Sequence, residues 1–181
     1  MSPEYIKSLS KFLSLVLRHK PEVAGIQLDA NGWVNVDELI DGCIEQGKEM
    51  DMAILESIVK TDDKQRYAFN EDKTKIRASQ GHSVKIDLAL EPVKPPKILY
   101  HGTVDRFIEN IMRKGLQPMS RNHVHLSETE DTAFEVGERR GDAIIFKVYA
   151  GAMYRDGFHF YQSDNGVWLT DGVPSKYLDM L

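Results

Sequence analysis

The chain has 181 residues, of which 41% are hydrophobic and 28% are charged. This length allows one domain or two small ones, and the composition excludes an intrinsically disordered protein. No apolar stretch approaches the roughly 20 residues that a membrane span needs. The N-terminal segment alternates apolar with polar residues instead of massing them as a secretory signal does. We therefore expect a cytoplasmic protein that does not enter a membrane.

The charge balance limits how the chain could bind nucleic acid. Lys and Arg number 23 against 28 Asp and Glu, so the net charge is −5, which excludes binding through bulk positive charge. Cations are concentrated locally, however, with six between Lys64 and Lys85 against two acids. This cluster fits either a solvated hairpin surface or a nucleic-acid contact.

The first half predicts three helices and two strands. Apolar residues recur at helical spacing, and a capping residue precedes each helix: Ser2, Asn35 and Asp51. The first helix is expected to end near Arg18. Residues 66–78 read as two short strands around a polar turn. Three helices followed by a basic hairpin suggest a winged helix.

A single cysteine, Cys43, can form neither an intramolecular disulfide nor a Cys-rich zinc site. Its neighbours Ile40 and Ile44 are also apolar, which predicts that all three lie on the buried face of the second helix. We therefore expect Cys43 to be a core residue.

A proline-rich stretch divides the chain. Pro92, Pro95 and Pro96 each remove a backbone donor and disfavour helix in the preceding residue. We predict a linker here, separating a lobe at residues 1–93 from one at residues 94–181. Each half is near the lower size limit for an independent core, so we expect the halves to pack together around a cleft.

The second half changes character to a mixture of short strands and helices. Helical segments are predicted after Thr103 and over residues 128–140. Strand-like runs occupy residues 97–103, 123–127, 143–149 and 166–170. The expected fold class is therefore α+β.

Two phosphate-binding motifs can be set aside. Gly42, Gly47 and Lys48 have the spacing of a P-loop, but residue 49 is Glu and the segment ends a predicted helix. No two glycines are separated by a single residue, so the Rossmann fingerprint is absent. Any NAD site must be built in another way.

Three histidines lie near hydroxyl residues in strand-like segments. His101 precedes Thr103 by two residues, as His125 precedes Ser127, which gives two H-x-[ST] patterns. Together with His123 these histidines could ligate zinc, or they could be satisfied strand residues. Paired H-x-[ST] motifs also mark two-histidine RNA phosphoesterases, which work without NAD. Here, though, the motifs are only 24 residues apart, too close for the repeated half-domain of such enzymes.

Individual cations carry little information by themselves. Arg18 and His19 follow a long apolar stripe, where the dipole at a helix C-terminus favours positive charge. Arg66 and Arg121 could each be a solvated surface residue. Their significance depends on whether they act together.

The order of these motifs resembles the NAD-dependent RNA 2'-phosphotransferase family. The resemblance covers nearly the whole chain. It is carried by Leu17-Arg18-His19, Lys64-Gln65-Arg66-Tyr67, Ile76 to Ser83, Tyr100-His101-Gly102-Thr103, Gly115 to Ser127, Val136 to Gly141 and Asn165 to Thr170. It implies an N-terminal winged-helix-like lobe that binds RNA or phosphate, followed by a C-terminal lobe of ADP-ribosyltransferase fold that binds NAD.

The resemblance also implies an activity. Such an enzyme removes an internal 2'-phosphate from RNA, for example at a tRNA splice junction, using NAD as co-substrate and no metal. The 2'-phosphate displaces nicotinamide to give ADP-ribosylated 2'-phospho-RNA. A ribose hydroxyl then attacks the phosphate and releases ADP-ribose 1'',2''-cyclic phosphate. A non-catalytic winged-helix module that binds nucleic acid is the alternative, but it leaves the second lobe unexplained.

Site residues follow from the same resemblance. The catalytic set is expected to be Arg18, His19, Arg66 and Arg121, since planar guanidinium forks suit a phosphomonoester. The cofactor-binding set is expected to be His101, Gly102, Thr103, His125, Ser127 and Arg139. Protein-modifying enzymes of this fold carry a catalytic Glu on a later strand. Here that region reads Gly166-Val167-Trp168, which weakens a protein-modifying interpretation.

Overall fold

Helix α1 spans Pro3–Arg18 in the computed structural model, which describes residues 1–181. As predicted, Ser2 caps it, since its side chain accepts a hydrogen bond from the Tyr5 amide, and Pro3 occupies the first turn. One face of α1 is completely buried, comprising Leu9, Leu13, Val16 and Leu17. The helix ends where His19 takes up a non-helical conformation.

Helices α2 (Val36–Glu45) and α3 (Met52–Thr61) confirm the other two predicted caps. The Asn35 side chain accepts from the amides of the first turn of α2, and Asp51 does the same for α3. Cys43 is fully buried as expected. Ile44 is not, because it is 54% exposed, so including it in the buried stripe was wrong. A helix turns about 100° per residue, and Cys43 already fills the inward direction.

The segment with P-loop spacing is confirmed to lie at the end of a helix, since α2 ends at Glu45. Gly42 lies within α2, where an added Cβ would sit 2.3 Å from the Ala24 carbonyl oxygen. The glycine therefore lets α2 approach the single-turn 3-10 helix Pro21–Ala24.

A three-stranded antiparallel sheet completes the N-terminal part. Its strands are β1 (Val34–Asn35), β2 (Tyr67–Phe69) and β3 (Lys75–Ala78), in the order β1-β3-β2. The predicted hairpin is thus confirmed, while the two-residue β1 was missed. The helices and this sheet belong to one compact unit, Met1–Ala89.

Arg77 corrects the view of the hairpin as a uniformly charged surface. Its side chain is buried, and it donates to the backbone carbonyls of Asn31 and Leu88. Its guanidinium also lies 4.5 Å from the centre of the Trp33 ring. Arg77 therefore ties segments of the unit together and does not belong to an exposed basic patch.

The second compact unit, Leu90–Leu181, contains two further antiparallel sheets. One has the order β4-β6-β9 and the other β5-β8-β7. Their strands are β4 (Leu99–Val104), β5 (Val124–Leu126), β6 (Ala143–Val148), β7 (Phe160–Gln162), β8 (Trp168–Thr170) and β9 (Leu178–Met180). The four predicted strands are confirmed, whereas β7 and β9 were missed.

Three helices accompany these sheets: α4 (Ile108–Lys114), α5 (Glu130–Glu138) and α6 (Ala150–Arg155). The first two fall in the predicted helical segments, and α6 was missed. The sheets are joined where Tyr100 and Ser127 exchange backbone hydrogen bonds of 2.8 Å. This bridge brings the H-x-[ST] segment of β4 next to that of β5.

Helix α5 packs unusually close to β4. A Cβ added to Gly102 would lie 1.7 Å from the Ala133 carbonyl oxygen, and one added to Gly137 would lie 3.0 Å from the Thr103 oxygen. The helix–strand contact therefore requires glycine at position 102, and it leaves little room for a side chain at position 137. The fold class α+β is confirmed, and none of the helices is long and apolar enough to cross a membrane.

Candidate active-site residues

The end of α1 presents Arg18 and His19 beside an irregular segment that follows β3. The amides of Ser83 and Val84 both donate to the Arg18 carbonyl, at 2.9 and 3.3 Å. The Ser83 hydroxyl lies 2.8 Å from Nδ1 of His19. The imidazole is therefore held at Nδ1, and Nε2 is on the opposite side of the ring.

The Arg18 guanidinium is positioned by α1 and by a glycine. Its Nη1 lies 3.4 Å from the Ser14 hydroxyl, one helical turn earlier. Gly81 has φ +90°, and a Cβ there would approach Nε and Cζ of Arg18 to 3.3 Å. Glycine at this position therefore supplies the left-handed conformation and leaves room for the guanidinium.

Arg66 lies at the start of the hairpin and is fixed by Asp62. The Asp62 carboxylate accepts from the Arg66 guanidinium at 2.5 Å and from the Arg66 amide at 2.7 Å. Burial raises the pKa of nearby Tyr67, while the charges of Arg18 and Arg66 oppose that rise. Arg18 and Arg66 therefore both lie near the Tyr67 phenol, in one region of the unit.

His82 is a buried neighbour of this group. It is 2% exposed, and its Nε2 has no hydrogen-bond partner. The ring lies close to Gly32, because a Cβ added to that glycine would be 3.3 Å from Nε2 of His82. Burial lowers the pKa of His82 to about 4, and the positive charges of Arg18, Arg77 and His19 lower it further. The ring is therefore neutral at pH 7.

A measurable pH dependence follows from His82. Because its pKa falls from 6.5 to about 4 on folding, the unfolded chain binds the proton more tightly. The stability it contributes is therefore present above pH 6.5 and is lost as the pH falls toward 4, to a total of about 3 kcal/mol.

We expect His82→Asn to flatten the decline in unfolding free energy between pH 7 and pH 4, measured by urea denaturation. His159→Asn, which changes an exposed histidine, is the control and should leave the decline unchanged. An equally steep decline in both variants would show that His82 is not the titrating group.

In the second unit, His101 and His125 are linked through hydrogen bonds that define their tautomers. His101 Nδ1 lies 3.0 Å from the His125 carbonyl, which can only accept, so this nitrogen carries the hydrogen. Arg121 Nη1 lies 3.1 Å from His125 Nδ1, which therefore accepts. As neutral rings, His101 offers an acceptor at Nε2 and His125 a donor at Nε2.

The surroundings of these rings are strongly positive. Burial lowers the pKa of His101, and the positive charges of Arg140 and Arg121 lower it further. The hydrogen bond to the His125 carbonyl acts in the opposite direction and raises this pKa. Burial likewise lowers the pKa of Arg121, helped by Arg140 and Arg139. The guanidiniums of Arg121, Arg139 and Arg140 around these histidines form an environment suited to an anionic ligand.

The remaining predicted residues occupy strand positions. Thr103 is buried on β4, and Ser127 is half-buried with its backbone paired to Tyr100. Gly102 was expected to contact the cofactor. Its backbone instead lies against the backbone of α5, at Ala133. The structure thus gives this glycine a packing role.

The three histidines do not combine into a metal site. His123 Nε2 lies 3.8 Å from an Asp171 oxygen, and its ring contacts that of Tyr161 at 5.7 Å. No group of three or more His, Cys, Asp or Glu side chains is arranged to hold a metal ion.

In the region that reads Gly166-Val167-Trp168, the Trp168 indole donates to Glu128 at 2.8 Å.

Comparison with known proteins decides the family. Residues 4–172 match the model of "RNA 2'-phosphotransferase, Tpt1 / KptA family". The chain belongs to this family. A probable RNA 2'-phosphotransferase of Flavobacterium johnsoniae is 56% identical over 179 residues, covering 99% of this chain and 98% of its own. Those of Hahella chejuensis and Fusobacterium nucleatum are each 52% identical, covering 97% and 94% of this chain and 95% and 96% of their own.

Membership of the RNA 2'-phosphotransferase family confirms the resemblance drawn from the motifs. Within the first unit the structure brings together Arg18, His19 and Arg66, and within the second it brings Arg121 next to His125 and His101. Three neighbours were missed as site residues: His82, Ser83 and Arg140. All three lie within motifs that carry the family resemblance, and Arg140 adjoins the predicted Arg139, but no local pattern singles them out.

Proposed function

We propose that this chain removes an internal 2'-phosphate from RNA by transferring it to NAD, with nicotinamide and ADP-ribose 1'',2''-cyclic phosphate as the other products. Support comes chiefly from the guanidiniums of Arg18 and Arg66, which both lie near Tyr67, and from the adjacent His19, in a chain of the RNA 2'-phosphotransferase family. NAD is the co-substrate that supplies the ribose and the nicotinamide leaving group. The curated relatives are named for the same substrate class.

The first unit's residues suit a phosphomonoester. A guanidinium has five donors in a rigid fork, and Asp62 engages only part of that of Arg66. Arg18 and Arg66 bind and orient the 2'-phosphate and stabilise its charge while phosphorus is attacked. His19 contributes through Nε2, since Nδ1 is directed at Ser83.

The second unit's residues fit NAD. Its diphosphate is anionic, and Arg121, Arg139 and Arg140 supply positive charge around His101. His101 Nε2 can accept from a ribose hydroxyl, and His125 Nε2 can donate to an oxygen. Gly102 is assigned no contact with NAD, because α5 fills the space beside it.

The test is NAD-dependent dephosphorylation of an RNA that carries one internal 2'-phosphate. We expect one nicotinamide released for each phosphate removed, with no reaction when NAD is omitted. The same RNA with a 2'-hydroxyl is the control and should release none. Full activity without NAD would overturn the proposal in favour of a phosphoesterase.

Ser83 provides a narrower prediction about His19. Replacing Ser83 with alanine removes the hydroxyl that lies 2.8 Å from Nδ1 and so removes one constraint on the orientation of the imidazole. We expect kcat to fall about tenfold with little change in KM, since a misoriented group costs rate more than binding. Ser83→Thr, which retains the hydroxyl, should restore most of the rate.

A double-mutant comparison separates this role from general disruption. If Ser83 acts through His19, Ser83→Ala should cost nothing further when His19 is already alanine. An equal loss in both backgrounds would show that Ser83 does not act by orienting His19.

A further inference from the structure

We infer that the groove along α1 in the first unit is a subsite for the RNA backbone next to the 2'-phosphate. The groove has a volume of about 440 Å³. Its polar lining includes Lys7, Ser10, Lys11 and Ser14 from α1 and Asp62, Asp63 and Arg66 from the segment before β2. This inference rests on the proposed function and adds the path of the RNA strand to it.

The lining forms a continuous row that leads to the proposed phosphate site. Lys7, Lys11, Ser14 and Arg18 are spaced by four, three and four residues, so they lie on one face of α1. At 1.5 Å per residue the row is about 16 Å long. Its last two members are in contact, since Arg18 Nη1 lies 3.4 Å from the Ser14 hydroxyl. A strand bound at Arg18 can therefore continue along α1.

The charge of the groove favours a polyanion although the chain is acidic. Two carboxylates, Asp62 and Asp63, also line it. Asp62 is already neutralised by Arg66, with which it forms a 2.5 Å ion pair. The two exposed lysines, Lys7 and Lys11, then exceed the one remaining carboxylate. Lysine on a flexible stem is a common point-charge partner for phosphate.

The groove is suited to phosphates and not to stacked bases. Its one aromatic ring belongs to Tyr67, which is 2% exposed, so no ring face is available to a base. The Tyr67 hydroxyl is also engaged, donating to the Ser10 carbonyl at 2.6 Å. Contacts with backbone phosphates are independent of sequence. We therefore expect this subsite to bind RNA of any sequence that flanks the 2'-phosphate.

Binding of RNA without NAD tests the inference directly. Fluorescence anisotropy is used with a single-stranded RNA that carries one internal 2'-phosphate and several nucleotides on each side. We expect Lys7→Ala with Lys11→Ala to weaken binding about tenfold at low salt, and to lower the slope of log affinity against log salt by about two. The matched control removes two exposed lysines elsewhere, through Lys60→Ala with Lys114→Ala. It should change neither quantity.

Substrate length gives the second readout. With a dinucleotide that carries the 2'-phosphate, the Lys7 and Lys11 variant should react as the unchanged protein does, because no flanking backbone reaches the groove. With the longer RNA its KM should rise about tenfold and kcat should stay the same. The inference would be overturned if the Lys7 and Lys11 variant bound the longer RNA as tightly as the Lys60 and Lys114 control does. If RNA affinity depends on Lys7 and Lys11 in this way but the unchanged protein does not consume NAD, the proposed function fails while the subsite stands.

Discussion

We expect alanine in place of Arg18, Arg66 or Arg121 to lower the rate of phosphate transfer by about a hundredfold in each case. Removing one preorganised charged donor from a site where charge develops costs on the order of 3 kcal/mol. Loss of an exposed surface cation costs almost nothing. The three variants should still fold, because no buried apolar group is removed with these side chains. Rates are to be measured below saturating RNA and NAD, with unfolding followed in parallel.

Lysine in place of the same arginines should rescue little of the lost rate. An ammonium is a point donor and cannot reproduce a fork that engages two phosphate oxygens. Arg66 is the most demanding case, because its guanidinium must also satisfy Asp62 at 2.5 Å. Arg113→Ala, which removes an exposed arginine from α4, is the control and should retain full activity. Near wild-type rates for all three alanine variants would identify these arginines as surface cations.

Replacement of Gly102 by alanine should be the most damaging small change to stability. The new Cβ would lie 1.7 Å from the Ala133 carbonyl oxygen and 2.9 Å from the Gly137 amide. Both are backbone atoms of α5, so relief requires the helix to move away from β4. Overpacking in a core costs about 1–3 kcal/mol, and contact with rigid backbone favours the upper end. The melting temperature should fall by roughly 10 °C.

Gly172→Ala is the matched control for this prediction. A Cβ at Gly172 would meet its nearest neighbour, the Leu116 carbonyl oxygen, at 3.4 Å, an ordinary contact. Its stability should stay within about 1 kcal/mol of that of the unchanged protein. If Gly102→Ala melts normally but no longer binds NAD, then the sequence-based assignment of Gly102 to the cofactor is right and the packing role is wrong.

Local signals in the sequence were enough for most of the helices. Ser2, Asn35 and Asp51 each satisfy amides within three residues, so their capping role depends on nothing distant. The short strands β7 and β9 carry no comparable signal. Each has three residues and is defined by pairing with β8 or β6. Strands of this length are specified by their neighbours, which a pattern along the chain does not show.

The candidate site shows the same division. The prediction of Arg18, His19, Arg66 and Arg121 came from the family resemblance, which rests on the order of motifs along the chain. His82 and Arg140 were not predicted, because only the folded chain brings them to their neighbours. His82 is buried against Gly32, and Arg140 adds positive charge near His101. Arg77 shows the converse, because a cation in a basic hairpin proved to be a buried structural residue. Burial of a charged side chain depends on tertiary partners that sequence spacing does not reveal.

The fate of a radiolabelled 2'-phosphate shows whether the phosphate is transferred to NAD or released by hydrolysis. The protein is mixed with NAD and an RNA that carries the label at one internal 2' position, and the products are separated and identified by mass. We expect all of the released label in ADP-ribose 1'',2''-cyclic phosphate, with an equal amount of nicotinamide. Label released as inorganic phosphate, with NAD unchanged, would contradict it.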